Sequence, residues 1–525
     1  MKLYSFSPFG YEGALVSIEV DLRRGIPAID IVGLADGAVK ESRERMQAAI
    51  RNSGFDFPAE RVLISLSPAD LKKEGAGFDL PIALGVLFAN AGEEAAGRYN
   101  FMDEAVLVMG ELELSGNIRP IKGVHAAVST AAACGIMHCI VPLQNAQEAM
   151  EVKGVKVYGA DCLGNAFAAL TDSACFEAKE RDLSEDSDSL PEGCDNVDGV
   201  YFPQLSPGYE FGEIKGQSKL KRALQLSAAG GHNLIVVGSP GCGKTMAIQK
   251  FPAINPLLTI DEAQSVTRIW SLAGLIKPNE PLIRIPPFRI PHQTATVEGI
   301  CGGGTNCRPG EISLAHNGVL FLDEAAEFRT SVLQMLRVPL ERGGITLSRA
   351  GRTTVYPANF QLLMAVNPCP CGVYGSKTKV CLCSLKSIEQ YWKKFSAPLL
   401  DRIDIRIFVD NEVDKRDEEK EALVTTAQMR KGIARAINVQ RKRQGIKNSR
   451  LMPQDITEFC SLSEEGEKIL EKAVNRYGFS ARAIASCLKI ARTIADVDGF
   501  ENIGIEQLNE AIEYRKLCNG MVPEF

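Results

Sequence analysis

Apolar runs alternate with stretches of helical periodicity through the first third of the chain. The runs RVLISLS (61–67) and AVLVM (105–109) have the length and composition of strands. The stretches 39–52 and 124–134 are instead predicted as helices. Strands and helices in alternation indicate a compact α/β domain over residues 1–170.

Three further apolar runs lie within residues 201–410, and each is followed by glycine-rich or polar residues. LIVV (234–237), VLFL (319–322) and LLMAV (362–366) are predicted as buried strands. This pattern indicates a second α/β domain over residues 201–410.

The remaining segments differ in polarity. Residues 171–200 are rich in Asp, Glu, Ser and Gly and poor in apolar residues, which is typical of a solvated linker. Residues 411–525 are predicted to be mostly helical, with a charged stretch at 415–445 and an apolar-periodic helix near 480–496. The expected fold class is therefore multidomain α/β with a helical C-terminal region.

A phosphate-binding sequence follows the strand at 234–237. GSPGCGKT (238–245) fits the pattern G-x-x-x-x-G-K-[ST], and a helix is predicted after it at 246–251. Glycines let backbone N–H groups approach the phosphates, the lysine meets the β- and γ-oxygens, and the threonine meets Mg²⁺. ATP and Mg²⁺ are therefore the expected cofactors. The predicted nucleotide-binding residues are Gly238, Ser239, Pro240, Gly241, Cys242, Gly243, Lys244 and Thr245.

Polar residues at the ends of the other two buried strands complete a candidate hydrolytic site. Asp323 can hold Mg²⁺ through water, and Glu324 can orient and deprotonate the attacking water, which suits hydrolysis. Asn367 can reach the γ-phosphate or the lytic water, although an isolated Asn here is equally typical of a turn. Further on, Arg402 stands beside acids in LLDRID, where a local ion pair is the alternative.

Composition places the chain among globular proteins, with 45% hydrophobic and 24% charged residues in a total of 525. The first residues lack the pattern of a signal peptide, and the most apolar segment, near 81–91, is too short to span a bilayer. A cytoplasmic protein with no membrane partner is expected. The net charge of −6 does not indicate a nucleic-acid binder, but it does not exclude one with basic residues on a few loops.

The 15 cysteines, without a signal peptide, indicate reduced thiols or a metal site. Four of them form the pattern C-x-C-x₉-C-x-C, and four thiolates can close a tetrahedral zinc site. The alternative is four reduced thiols on an ordinary loop. Cys301 and Cys307 have no further ligands nearby in sequence and are expected to be plain thiols. The predicted zinc ligands are Cys369, Cys371, Cys381 and Cys383.

Two basic segments are candidates for contact with DNA. Residues 345–355 alternate apolar and polar positions on both sides of an Ala-Gly pair, which predicts a β-hairpin with Arg349 and Arg352 at its tip. Residues 430–450 carry eight basic residues and no acid. A solvated hairpin end and a solvated lid helix are the respective alternatives.

Seven motifs occur together along nearly the whole chain. They are IVGLADGAVKESRERMQAAIRNSGF (31–55), SPADLKKEGAGFDLPIALG (67–85), GGHNLIVVGSPGCGKT (230–245), RPGEISLAHNGVLFLDEAAEF (308–328), NPCPCG (367–372), PLLDRIDI (398–405) and SARAIASCLKIARTIAD (480–496). In this order they resemble the magnesium-chelatase-like AAA+ ATPases, and in particular the ComM/YifB family.

The resemblance implies a homohexameric ring that binds ATP between subunits. Asn367 then matches the first sensor, and Arg402 matches the finger that reaches into the neighbour's site. Arg482 matches the second sensor, near the start of a lid helix that Ser480 can cap. Residues 213–217 (EIKGQ) resemble the segment beside the adenine.

The resemblance also implies a partner. ComM-type proteins are associated with branch migration of DNA during natural transformation, so single-stranded or branched DNA is expected. In related rings a hairpin before the first sensor lines the pore, where Arg349 and Arg352 can follow phosphates. Residues 297–305 resemble a second pore-facing insert.

The N-terminal region resembles the Lon protease domain, whose active members use a Ser–Lys pair. Matching KEGAGFDLP (73–81) to the serine segment places Gly77 at the nucleophile, and matching RPIKGVHAA (119–127) to the lysine segment places His125 at the base. Ser67 and Lys72 are poorly placed substitutes. The domain is expected to be non-proteolytic and to serve as an oligomerisation or DNA-contacting platform.

Two other functions are weighed against a DNA motor. The first is the motor subunit of a metal-chelatase complex that remodels a protein partner. Such subunits generally lack the Lon-like domain. The second is an ATP-dependent Lon-like protease, which Gly77 and His125 oppose.

Overall fold

The structure is a computed structural model that describes the chain in ten segments. These are residues 2–34, 36–73, 75–96, 104–171, 190–277, 281–304, 306–349, 352–375, 379–409 and 424–516. Across these segments, no helix combines the length and the apolar character needed to cross a bilayer.

One mixed seven-stranded sheet forms the centre of the first domain. The strands of the domain are β1 (Lys2–Ser7), β2 (Ala14–Arg23), β3 (Ile29–Val32), β4 (Arg61–Ser67), β5 (Ala105–Val108), β6 (Glu111–Leu112), β7 (Ile118–Arg119), β8 (His138–Pro142) and β9 (Lys156–Ala160). The order in the sheet is β3-β4-β2-β1-β5-β8-β9, and β6 pairs with β7 separately. Strand β2 runs antiparallel to both neighbours, whereas the other pairs are parallel.

Helices cover both faces of this sheet. They are α1 (Gly37–Asn52), α2 (Asp79–Ala96), α3 (Val124–Ala133), α4 (Ala146–Met150) and α5 (Leu163–Thr171). Val106 and Val108 face the core formed with α1, α2 and α5, while Leu107 between them faces the core formed with α3 and α4. The strands and helices predicted for this domain are thereby confirmed.

The second domain is built on a parallel five-stranded sheet. Its strands and hairpins are β10 (Asp195–Val197), β11 (Val200–Phe202), β12 (Leu234–Gly238), β13 (Phe288–Arg289), β14 (Gly302–Gly303), β15 (Arg308–Pro309), β16 (Val319–Leu322), β17 (Gly344–Arg349), β18 (Arg352–Pro357), β19 (Gln361–Val366) and β20 (Ile405–Val409). The sheet order is β13-β16-β19-β12-β20. Because every pair is parallel, all carboxyl ends of the strands meet at one edge.

Nine helices of this domain lie around the sheet within the described residues. They are α6 (Ser218–Gly230), α7 (Lys244–Gln249), α8 (Ile260–Ala273), α9 (Val297–Cys301), α10 (Glu311–Leu314), α11 (Thr330–Met335), α12 (Arg337–Arg342), α13 (Leu385–Trp392) and α14 (Ala397–Leu400). Their packing explains why β16 and β19 are buried along their whole length and have no polar alternation.

The described part of the C-terminal region, residues 424–516, is helical, as predicted. Its helices are α15 (Thr426–Arg443), α16 (Pro453–Phe459), α17 (Glu464–Tyr477), α18 (Ala481–Asp498) and α19 (Ile505–Arg515). Ser480 caps α18 by accepting a hydrogen bond from the Ala483 N–H at 3.1 Å. Apolar residues of α15, α18 and α19 share one core with α6 and β12, so these helices rest on the second domain.

An ordered hairpin stands where the end of a solvated linker was expected. Strands β10 and β11 pair at residues 195–202, and Val200 and Phe202 are buried. Arg430 stabilises the hairpin, because its guanidinium pairs with Asp195 at 2.6 Å and lies over the Phe202 ring. Residues 172–189 of the expected linker lie outside the described residues.

Candidate nucleotide-binding site and its surroundings

The phosphate loop connects strand β12, which lies between β19 and β20 in the sheet, to α7, as its sequence predicts. Gly241 and Gly243 have φ angles of 82° and 83°, a left-handed conformation that side chains disfavour. A Cβ on Gly238 would lie 2.3 Å from the Val409 carbonyl oxygen. Glycines are therefore required here by backbone conformation and by close packing.

Lys244 and Asn367 lie together at this loop. The Lys244 side chain is buried, and its ammonium donates hydrogen bonds to the carbonyls of Gly238 (2.6 Å) and Ser239 (2.9 Å). The Asn367 Oδ1 lies 3.4 Å from the same ammonium. The structure thus places the predicted first sensor beside the predicted phosphate-binding lysine.

The predicted magnesium ligands are in contact. The Thr245 hydroxyl donates a hydrogen bond to Asp323 Oδ1 at 2.9 Å. A hydroxyl and a carboxylate oxygen are ligands of the kind Mg²⁺ takes beside nucleotide phosphates. The donor set and the glycine cradle fit Mg²⁺–ATP.

Glu324 follows Asp323 on the open side of the site and has a positive φ of 47°. Its carboxylate accepts a hydrogen bond from the Gln293 side chain at 2.5 Å. The sequence gives little indication of Gln293, which is 31 residues away in the chain but lies after β13, the strand beside β16. This hydrogen bond from Gln293 restrains the Glu324 carboxylate.

The predicted adenine-side segment also lies near the loop. Gln217 has a left-handed backbone (φ 60°), and its side-chain amide donates to the Cys242 carbonyl at 3.3 Å. Glu213 pairs with Lys250 at 2.6 Å. This segment therefore borders the loop from the side of α6.

Arg402 lies at the end of the sheet where β12 and β20 begin, opposite the end that carries the phosphate loop. It precedes β20, whose first residue Ile405 pairs with Leu234 at the start of β12, and its carbonyl accepts a hydrogen bond from Asn233 at 2.9 Å. The loop begins at the other end of β12. The four residue steps between Leu234 and Gly238 span about 13 Å.

Arg482 lies at this same edge, although it belongs to the helical C-terminal region. Its guanidinium contacts Glu341 at 3.0 Å and Asp401 at 3.7 Å, and Arg402 pairs with the same Glu341 carboxylate. Neither arginine is thus placed beside the phosphate loop of its own chain. Arg402 does form an ion pair within its own chain, but its partner is Glu341, 61 residues away, and not one of the adjacent acids considered from sequence.

The four predicted zinc ligands converge after Asn367. Their sulfur atoms lie within 4.8 Å of one another, and three pairs are separated by 3.3 to 3.7 Å. A tetrahedral zinc–thiolate site has sulfur–sulfur separations of about 3.8 Å. A hydrogen bond from the Val373 N–H, with those of the neighbouring thiols, lowers the pKa of Cys371 to about 6. The arrangement therefore fits a structural zinc ion.

The cysteine loop also packs on the phosphate loop. A Cβ on Gly372 would lie 2.6 Å from the Pro240 ring. Trp392 holds the start of the cysteine loop by donating its indole N–H to the Pro368 carbonyl at 3.0 Å. By contrast, Cys301 is buried away from this cluster, and burial raises its pKa to about 11, as expected for a plain thiol.

We expect purified protein to contain about one zinc per chain, because four thiolates make one closed site. Metal analysis after preparation without chelators measures this directly. Cys381→Ser should lose the metal, whereas Cys134→Ser, at an exposed free thiol elsewhere, should keep it. Wild-type protein with no bound metal would favour the thiol-loop alternative.

The predicted basic hairpin is formed by β17 and β18, with Arg349 opposite Arg352. The two arginines have different surroundings. Arg349 is exposed, whereas the Arg352 guanidinium lies 4.8 Å from the centre of the Phe9 ring. The Tyr11 N–H, in the same turn between β1 and β2, donates to the Thr354 hydroxyl at 3.1 Å. The first domain thus packs along the hairpin.

Part of the second basic segment supports the fold. Arg430 binds Asp195, Arg443 pairs with Asp496 at 2.8 Å, and Arg435 donates to the Val497 carbonyl at 3.2 Å. These three basic side chains are therefore engaged in contacts within the chain. The predicted pore-facing insert at 297–305 forms α9 and β14, and Thr305 lies outside the described residues.

The two positions matched to a protease site lack the required chemistry. Gly77 has no side chain to act as a nucleophile. His125 is buried against the second domain, where its Nε2 lies 2.7 Å from Gln264 Oε1, and burial lowers the pKa of this imidazole to about 4. Arg268 adds a second interdomain contact by donating to the Tyr11 carbonyl at 3.1 Å.

The fold and the site together define a class of protein. A glycine loop follows β12 of a parallel sheet, an asparagine follows the adjacent strand β19, and an acidic pair follows β16 on the other side of β19. A helical region packs on the same sheet. This combination is that of a P-loop ATPase of the AAA+ type.

Comparison with known proteins narrows the class. Three profiles match the chain: "Magnesium chelatase, subunit ChlI" over residues 210–417, "Subunit ChlI of Mg-chelatase" over 18–145, and "Magnesium chelatase, subunit ChlI C-terminal" over 424–515. Competence protein ComM of Haemophilus influenzae is 38% identical over 520 residues, covering 98% of this chain and 97% of that protein. YifB of Escherichia coli is 36% identical with the same coverage.

The chain therefore belongs to the ComM/YifB family of magnesium-chelatase-like AAA+ ATPases. The magnesium-chelatase 38 kDa subunit of Rhodobacter capsulatus is also similar, at 25% identity over 178 residues, which is 31% of this chain and 51% of that protein. The resemblance stated from the sequence motifs and the predicted fold class are both confirmed.

Proposed function

We propose that this protein is a ring-forming, ATP-driven DNA motor of the ComM type, which works on single-stranded or branched DNA. The observation that carries the proposal is the full-length similarity to a competence protein, at 38% identity. The ring part has separate support, because Arg402 and Arg482 lie at the edge of the sheet opposite their own phosphate loop.

In the proposed ring, each nucleotide lies between two subunits. One subunit supplies Lys244 and the loop amides for the phosphates, and Thr245 and Asp323 for Mg²⁺. Glu324 takes the proton of the attacking water, while Asn367 orients the γ-phosphate. Bound Mg²⁺ neutralises charge on the phosphate oxygens. The neighbouring subunit supplies Arg402 and Arg482.

Arg482, the proposed second sensor, acts on the nucleotide of the neighbouring subunit, as Arg402, the proposed finger, does. Arg482 contacts Glu341 and Asp401 at the same edge as Arg402. A rigid-body closure of subunits would bring both guanidinium groups to one phosphate. A homohexamer satisfies this requirement at every interface, since head-to-tail contacts close into a ring.

The hairpin β17–β18 is the proposed DNA-tracking element. Arg349 is exposed and free of the aromatic contact that Arg352 makes with Phe9. A guanidinium in this position can bind backbone phosphates without reading sequence. We therefore propose Arg349 as the main phosphate contact of the hairpin and Arg352 as a secondary one.

DNA should stimulate ATP hydrolysis, and Arg349→Ala should remove most of the stimulation while basal hydrolysis stays near wild type. Loss of one phosphate contact should also lower the slope of log affinity against log salt by about 1. Adding Arg352→Ala should change both measurements further by a smaller amount. The rates are measured without DNA and with single-stranded, duplex and branched DNA.

Arg24→Ala is a matched control, because it removes one exposed arginine just after β2. This position is about 30 Å along the strand from the turn that touches the hairpin. Unchanged affinity and salt slope in Arg349→Ala would remove the hairpin from its proposed role. Absence of stimulation by any DNA would favour the chelatase-type motor, for which the match of residues 210–417 to chelatase subunit ChlI is the supporting observation.

A further inference from the structure

We propose that Glu341 is a positioning residue that holds Arg402 and Arg482 together as one cationic pair for the nucleotide of the neighbouring subunit. The inference rests on the proposed ring function and adds a residue that none of the sequence motifs contains. It also assigns a physical connection between this pair and the basic hairpin.

One carboxylate serves both arginines. Glu341 Oε2 pairs with the Arg402 guanidinium, and Glu341 Oε1 accepts from Arg482 at 3.0 Å. Arg402 donates in addition to the Pro398 carbonyl at 2.5 Å. The hydrogen bond from Arg402 is the main reason that the pKa of Glu341 lies below its usual range, and Arg482 contributes to the same direction.

The bridge joins two separate parts of the chain. Arg402 belongs to the second domain, whereas Arg482 is the second residue of α18 in the helical region. Asp401 reinforces the junction by contacting Arg482 at 3.7 Å, the Ser480 hydroxyl at 3.2 Å and Arg515 at 2.9 Å. Glu341 therefore fixes where the helical region presents Arg482 relative to Arg402.

Two guanidinium groups held close together repel each other unless an anion lies between them. Without Glu341, Arg402 would keep its bond to the Pro398 carbonyl and Arg482 its contact with Asp401, but the contact that joins the two guanidinium groups would be lost. A transition-state phosphate needs both donors in place before it forms, because preorganised donors cost no rearrangement during the reaction. Loss of the bridge should therefore reduce turnover more than it reduces nucleotide binding.

The same residue lies next to the hairpin in the chain. Glu341 is in the last turn of α12, and only Arg342 and Gly343 separate it from Gly344, where β17 begins. Gly343 has a φ of 65°, and its carbonyl accepts from the Ala358 N–H at 2.7 Å, which ties the end of α12 to the end of β18. A displacement of the hairpin would thus be transmitted to Glu341 through only two intervening residues, Arg342 and Gly343.

The test uses full-length Glu341→Gln, which keeps the shape of the side chain and removes its charge. We expect kcat for ATP to fall about tenfold to a hundredfold, as for a small misplacement of catalytic groups. The KM and nucleotide affinity should change less than twofold. Glu60→Gln, at an exposed position in the first domain, should leave the rate unchanged. Glu341→Asp retains the charge and should lose less activity than Glu341→Gln.

Mixed rings distinguish positioning in trans from a local structural role. Glu341→Gln supplies an intact phosphate loop, and Lys244→Ala supplies an intact arginine pair, so their mixture should recover activity. Arg402→Ala mixed with Lys244→Ala is the reference. If the reference pair recovers and the Glu341→Gln mixture does not, the role assigned to Glu341 is wrong. If the reference pair also fails in rings that exchange subunits, the trans assignment of the proposed function is wrong, and this inference fails with it.

The rates of the single variants can also overturn the role of Glu341. A wild-type kcat in Glu341→Gln, or an equal loss in Glu341→Asp, would do so.

Discussion

Glu324→Gln should abolish ATP hydrolysis while the protein still binds ATP. The amide cannot take the proton of the attacking water, whereas the glycine loop, Lys244, Thr245 and Asp323 remain intact. We expect a loss of at least about a hundredfold in kcat. Hydrolysis is measured by phosphate release, and binding is measured with a fluorescent ATP analogue.

Two further variants separate chemistry from binding. Lys244→Ala should weaken nucleotide binding itself, since this ammonium is the charged group of the phosphate loop. Glu327→Gln removes another exposed carboxylate three residues from Glu324 and should retain hydrolysis. Near-normal hydrolysis in Glu324→Gln would show that another group activates the water.

Arg402→Ala should reduce ATP hydrolysis by about a thousandfold, the lower range for loss of an arginine finger. The affinity of the chain for nucleotide should remain close to wild type, because Arg402 lies at the far edge of the sheet from its own phosphate loop. Mixing this variant with Lys244→Ala should restore part of the activity. At equal amounts, about one interface in four in a cyclic ring pairs an intact loop with an intact finger.

Subunit exchange must accompany this measurement, and fluorescence transfer between labelled chains provides it. Recovery should rise with the extent of exchange. Exchanged rings that stay inactive would contradict a finger supplied by the neighbour.

The residues at strand ends could be predicted from sequence because their identity depends on local pattern. A buried strand followed by GSPGCGKT or by Asp323 and Glu324 specifies its own position at the sheet edge. The cysteine spacing likewise predicts the convergence of four sulfur atoms, which the structure contains. In each case, residues close in sequence carry the information.

The contacts that sequence patterns do not reveal join distant parts of the chain. Glu341 is 61 residues from Arg402 and 141 from Arg482, and neither separation follows a periodicity. The hairpin β10–β11 was likewise not predictable from its polar composition, because Arg430 and a buried core stabilise it. Long-range packing overrides local composition in both cases.

The packing of Phe9 on Arg352 has a consequence for the assembled particle. The turn that carries Phe9 belongs to the first domain, and His125 and Arg268 attach this domain to α8. In the proposed ring, six first domains would therefore stand beside the six hairpins and enclose a vestibule in front of the pore. In that arrangement, a DNA strand entering from this side would pass the first domains before it reached Arg349.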